Sequence, residues 1–156
     1  MDWKWTTEYG PWCNTCIQSI VRKTGLVIHP LDQYVAASPD GLIRSGEVYM
    51  LLEIKCIFNP DGSSLEELIS KWSDFCLSNT NGFISLKRNH KYYFQIQCQL
   101  AVTNLHQCLF VIFCNNKSFE EKMYLEIIDF DCPLWKECLG KIKKFFFNFH
   151  IPLVMA

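Results

Sequence analysis

Residues 51–58, LLEIKCIF, carry a glutamate and a lysine two apart inside an otherwise apolar run. A strand this hydrophobic is expected to be buried on both faces. Side chains alternate along a strand, so residues two apart share a face. Val48, Met50, Leu52, Ile54, Cys56 and Phe58 then form one wholly apolar face, and Tyr49, Leu51, Glu53, Lys55 and Ile57 form the other. Glu53 and Lys55 point the same way, where an unpaired charge would be costly. A partly buried Glu–Lys pair on an edge strand answers that cost. So does a site that needs both charges.

A second carboxylate weighs toward the site. Asp40 lies in the turn SPDG at 38–41, with twelve residues between it and Glu53. The short RSG connection at 44–46 lets the flanking segments pair as an antiparallel hairpin, which brings both carboxylates to one end of a sheet. Two converging carboxylates, with backbone carbonyls and water, make an oxygen-rich site suited to Mg²⁺. The lysine beside it can hold an anion or orient water, and a phosphodiester fits that description.

The remaining periodicities place these segments in one domain, since 156 residues with twelve Phe and five Trp suffice for one sizeable core. Residues 13–24 are expected to be a short helix ending at Gly25. Ser64 and Glu67 have capping-box spacing ahead of a helix that carries Leu65, Leu68, Ile69, Trp72, Phe75 and Cys76 on one face. NTNG at 79–82 is expected to be loop, and 90–104 another helix. The apolar run 107–114 pairs with 122–130 as a hairpin, and Trp135 to Phe149 keep helical spacing for a long helix packed on the sheet. The expected fold class is an α/β sandwich with a mixed central sheet.

Several classes are disfavoured. The net charge of −1 and pI near 6.4 advertise neither nucleic acid nor membrane, so a DNA site would have to be a local basic patch, KRNHK at 87–91 or KIKK at 141–144. No stretch approaches the length of an apolar membrane span, and the start lacks the layout of a signal peptide. Nine cysteines, several inside apolar runs, indicate a reducing intracellular setting, the nucleus in a eukaryote and otherwise the cytoplasm. Cys13 and Cys16 form a lone CNTC, and Cys132 and Cys138 are poorly spaced to complete a zinc scaffold with them.

The spacing D-x12-E-x-K resembles the PD-(D/E)XK nuclease signature. AASPDGLI at 36–43, LLEIKC at 51–56 and HKYYFQIQCQLAVT at 90–103 together resemble the YqaJ-like viral recombinase family, of the phage lambda exonuclease type. The similarity runs from about Gly25 to Pro152, which leaves 1–24 as a poorly matched N-terminal segment before a nuclease domain at 25–156.

The resemblance implies a restriction-endonuclease-like sandwich and a Mg²⁺-dependent exonuclease, with Mn²⁺ as a substitute ion. Such an enzyme hydrolyses DNA from duplex ends, in recombination, repair, or viral or mobile-element replication. Asp40 and Glu53 would be metal ligands with the carbonyl of Ile54, Lys55 the catalytic lysine, and Gln95 the residue that positions water and scissile phosphate. Gln95 shares a helical stripe with Lys91, Gln99 and Val102, which also suits a solvent-facing glutamine. Gln97 is either satisfied in the core or a second site residue. Lys87, Arg88, His90 and Lys91 are the candidate DNA-backbone contacts.

Family members carry an upstream glutamate on a helix. Glu8 lies at about the right distance from Asp40, but Pro11 opposes a helix there, so a shortened N-terminus is expected. His29 and Asp32 fit structural roles. The implied partners are DNA ends, a single-strand annealing protein and further copies of the chain, and no membrane. The alternative is a catalytically inactive nuclease-fold module that binds DNA or another partner.

Overall fold

The core of the molecule is a hairpin. Strand β4 (Gly41–Ser45) pairs antiparallel with β5 (Val48–Ile57), from Ser45 opposite Val48 to Gly41 opposite Leu52. Gly46 and Glu47 form the two-residue turn, with only Gly46 at positive φ (61°), as a type II′ turn requires. The computed structural model describes residues 20–59, 61–114 and 123–155; Glu8, Cys13 and Cys16 lie outside them.

Three further strands complete the main sheet. Strand β1 (Ile20–Arg22) pairs with β4. Two short strands, β2 (Val27–Ile28) and β3 (Ala36–Ala37), form a separate ribbon. After β5 come helix α1 (Leu65–Lys71), the hairpin β6 (Leu77–Thr80) and β7 (Phe83–Leu86), and helix α2 (Lys91–Thr103). Strands β8 (Gln107–Cys114) and β9 (Met123–Asp129) follow, then helix α3 (Cys132–Phe145), a π-helical turn over Phe146–His150, and α4 (Ile151–Met155). The sheet order is β1-β4-β5-β8-β9, with β5 and β8 parallel and the other pairs antiparallel. The long connection from β5 to β8 is the crossover that a parallel pair requires.

Four local expectations change. Residues 20–22 are strand rather than the end of a helix, because β-branched Ile20 and Val21 extend the sheet along β4. Helix α1 carries the capping box of Ser64 and Glu67 but stops at Lys71, where Trp72 turns extended. Phe75 and Cys76 are still buried, brought in by a turn in which the Phe75 N–H donates to the Trp72 carbonyl. NTNG is the tip of the β6–β7 hairpin, since Asn81 (φ 54°) and Gly82 (φ 86°) supply the two positive φ values of a type I′ turn. Finally, α3 inserts Trp135 between Val102 of α2 and Val35 beside the β2–β3 ribbon, so it packs on α2 more than on the sheet.

The two faces of the sheet differ. Leu51, Phe110, Ile112 and Ile128 face α1, α2 and the β6–β7 hairpin and share one core with Leu68, Ile96 and Leu100. The opposite face gathers Ile43, Leu52 and Val111 into a smaller cluster, and Val48, Ile54, Cys56 and Phe58 on it are exposed among the described residues. The expectation of a strand dry on both faces therefore fails for β5. Its helix-covered face is the dry one, and that is where Glu53 sits.

Candidate active site

Glu53 is 1% exposed, in the middle of the covered face. Three side-chain donors meet its carboxylate. Lys55 Nζ lies 2.5 Å and Gln95 Nε2 2.7 Å from Oε1, and Gln99 Nε2 lies 2.7 Å from Oε2. Buried charge is tolerated when it is paired and its lone pairs are hydrogen-bonded, and both conditions hold here. Lys55 reaches the carboxylate from the same face of β5, as alternation requires. The ring of Tyr92 supports it, with Nζ 4.8 Å from the ring centroid.

Asp40 ends up beside this cluster through the register. Gly41 opposes Leu52, so the next position brings Asp40 opposite Glu53, at the point where β4 has ended and β5 continues. Asp40 Oδ2 accepts from the Ile54 N–H at 2.8 Å, taking the place of a ladder partner. The N–H and C=O of one strand residue face the same neighbour, so the Ile54 carbonyl is turned toward Asp40 as well. Upstream, Thr24 Oγ1 donates to the Pro39 carbonyl and ties down the SPDG turn. The thiol of Cys108, opposite Leu51 on β8, registers both carboxylates. Burial first, then the charges of Glu53 and Asp40, push it far above the ordinary thiol range.

Helix α2 supplies the glutamines. Gln95 and Gln99 lie one turn apart on the stripe that faces β5. Gln99 is the residue that motif reasoning passed over, although its place on the Gln95 stripe was the available signal. Gln97 belongs to the core. It is fully buried, its Nε2 donates to the Asp129 carbonyl at 3.0 Å, and its Oε1 accepts from the Asp131 N–H at 2.7 Å. His29 and Asp32 are also local, with the Asp32 N–H donating to His29 Nδ1 and Tyr34 donating to Asp32.

The four basic-patch residues do not act as one surface. Arg88 is ion-paired with Asp131, and Lys87 Nζ donates to the Ser73 carbonyl at 2.8 Å. Lys91 is exposed beside Tyr92. His90 is the N-cap of α2, where its Nδ1 accepts from the Tyr92 N–H at 3.2 Å.

A capping nitrogen must be unprotonated. Burial, followed by the charges of Lys91 and Lys87, holds the His90 imidazole below its ordinary value. The unfolded chain therefore binds more protons in that window, and the cap's contribution is full above about pH 6.5 and lost as pH falls through the folded value. The melting temperature of the native chain should drop more steeply between about pH 7 and 5 than that of a His90→Asn variant, whose cap does not titrate. Parallel melting curves for the two would refute the assignment.

The family model described as the YqaJ-like viral recombinase domain matches residues 3–106, more than half of the chain. The chain belongs to the YqaJ-like viral recombinase family. Among solved structures, this YqaJ-like chain is similar to the alkaline exonuclease LHK-Exo from Laribacter hongkongensis, with a TM-score of 0.64 and 27% identity over 88% of the present chain. A second structure, LHK-Exo in complex with dAMP, matches at 26% identity with the same TM-score and coverage. The chain spans 60% of the length of those neighbours. No curated protein is similar enough to count as a relative.

The donors present suit a hard cation. Among the described residues no group of three or more His, Cys, Asp or Glu side chains converges. Two carboxylates and a carbonyl are nevertheless the protein share that Mg²⁺ ordinarily takes, the rest being water and substrate phosphate. A separate cleft of about 530 Å³, lined by Arg88, Tyr93, Glu126, Asp129 and Asp131 among others, contains none of Asp40, Glu53, Lys55 or Gln95. No helix among the described residues is long and apolar enough to cross a membrane.

Proposed function

We propose that the chain is a divalent-metal-dependent DNA exonuclease acting on duplex ends, with Asp40, Glu53, Lys55 and Gln95 at its centre. The observation that carries this reading is the placement of Asp40 against Glu53 at adjoining strand positions, with Lys55 on the same face. The solved neighbour named an alkaline exonuclease, and its complex with dAMP, support DNA as the substrate.

Asp40, Glu53 and the Ile54 carbonyl would hold Mg²⁺, with Mn²⁺ as a substitute. When bound, such an ion polarises a phosphoryl oxygen and lowers the pKa of a coordinated water. The chain's own residues do the rest. Lys55 presents a cation that offsets the negative charge developing on the scissile phosphate, held by the Tyr92 face. Gln95, anchored on α2, directs its amide to the same carboxylate oxygen as Lys55 and is placed to orient the attacking water. Lys91 is the best-placed of the basic residues for the DNA backbone, because Lys87 and Arg88 are engaged within the protein. Resection for recombination or viral replication, an annealing-protein partner and assembly of several copies belong to the same reading.

The test is digestion of end-labelled linear duplex DNA. Nucleotide release is expected with Mg²⁺ or Mn²⁺ and should cease on chelation, while a covalently closed circle stays intact. A folded chain that releases nothing in either ion would overturn the reading and leave a module that binds DNA without cutting it.

A further inference from the structure

Among the described residues four polar side chains are buried in the core: Glu53, Asn59, Gln97 and Gln99. Asn59 brackets a turn by bonding Ser63 at both its N–H and its carbonyl, and Gln97 ties α2 to the end of β9. Gln99 has no such structural employment. Among the described residues its side chain makes one hydrogen bond, from Nε2 to Glu53 Oε2, and its buried Oε1 has no partner. Leaving a buried carbonyl oxygen unpaired opposes folding, and an apolar residue of similar size would avoid that cost.

The two oxygens of Glu53 differ. Among the described residues Oε1 meets Lys55 and Gln95, both partly exposed, whereas Oε2 meets only Gln99, which is 1% exposed. One oxygen thus takes its donors from partly exposed side chains, and the other is held from the interior. We infer that Gln99 is a positioning residue: it locks the Glu53 carboxylate so that Oε1 is the oxygen offered to the metal. The inference rests on the metal-dependent reading above. Groups that orient metal-binding carboxylates from behind commonly govern affinity, by about 10- to 100-fold when removed.

Titration of the full chain with Mn²⁺ in a calorimeter, alongside thermal melting, tests it. Gln99→Met removes the donor and the orphaned oxygen together at similar volume. It leaves Glu53 Oε2 without that donor, so it should stay folded but melt somewhat below the native chain, and it should bind Mn²⁺ at least about tenfold more weakly. Gln99→Asn keeps a buried amide one methylene too short to reach Oε2 and should weaken Mn²⁺ binding similarly, which keeps the inference testable if the methionine variant misfolds. Nuclease activity of either variant should recover toward native as Mn²⁺ is raised. Native Mn²⁺ affinity in a folded variant would overturn the role of Gln99 alone. A native chain that takes up no Mn²⁺ would overturn the metal-dependent reading and the inference with it.

Discussion

Replacing Lys55 by alanine should lower nucleotide release from linear duplex DNA by about 10²- to 10³-fold, the usual loss when one donor to a developing charge is removed. The fold should survive. Glu53 keeps both glutamine amides, and the ammonium it loses is 20% exposed. Duplex binding, measured by fluorescence anisotropy in Ca²⁺ or without metal, should change little, because the backbone contact assigned to Lys91 remains. Loss of catalysis with retained binding places Lys55 at the chemistry. A variant within tenfold of the native rate would remove it from the mechanism and would leave its pairing with Glu53 as a structural one.

Replacing Glu53 by leucine should have the largest effect on stability of any single change at the site. The substitution strands the amides of Gln95 and Gln99 and the Lys55 ammonium around an apolar side chain that cannot accept. Removing one member of such a buried set costs about 3–5 kcal/mol. For a chain of this size that is a loss of roughly 10 °C in melting temperature. Glu53→Gln, of the same shape and able to accept at one oxygen, should lose nuclease activity as completely while melting much closer to native. Urea titration of the two variants separates the structural from the chemical share of Glu53. If the leucine variant were as stable as the native chain, the three donors could not be the partners described here.

Much of this site was legible because it depends on spacing. Alternation in LLEIKCIF put Glu53 and Lys55 on one face, and the short connection at Gly46 allowed only a tight hairpin, which brought Asp40 opposite. The stripe of α2 was equally plain in the 3.6-residue period. What escaped were features decided by tertiary contact. Helix α1 ends where Trp72 leaves the helical region, yet Phe75 and Cys76 are buried by a turn that mimics helical spacing. The Asn81-Gly82 pair was a hairpin signal passed over because the flanking segments, LSNT and FISL, are only partly apolar. His90 looked like a phosphate contact by position, and its ring nitrogen is instead used as a cap. Gln99 shares the Gln95 stripe, but the stripe alone does not say that this side of α2 is the covered one.

The β4–β5 turn acts as a ruler. Two central residues, Gly46 and Glu47, set the interval at which Asp40 comes level with Glu53, and nothing else in the hairpin does so. The chemistry of that turn is therefore open to change as long as a residue tolerant of positive φ stands at its first position. Its length is not. An added residue must be taken up as a bulge near the turn, or every side chain of β4 beyond it slips one place against β5. In the second case Asp40 would no longer stand opposite Glu53, although neither carboxylate had been touched. The turn most distant from the proposed site along the hairpin thus holds the distance on which that site depends.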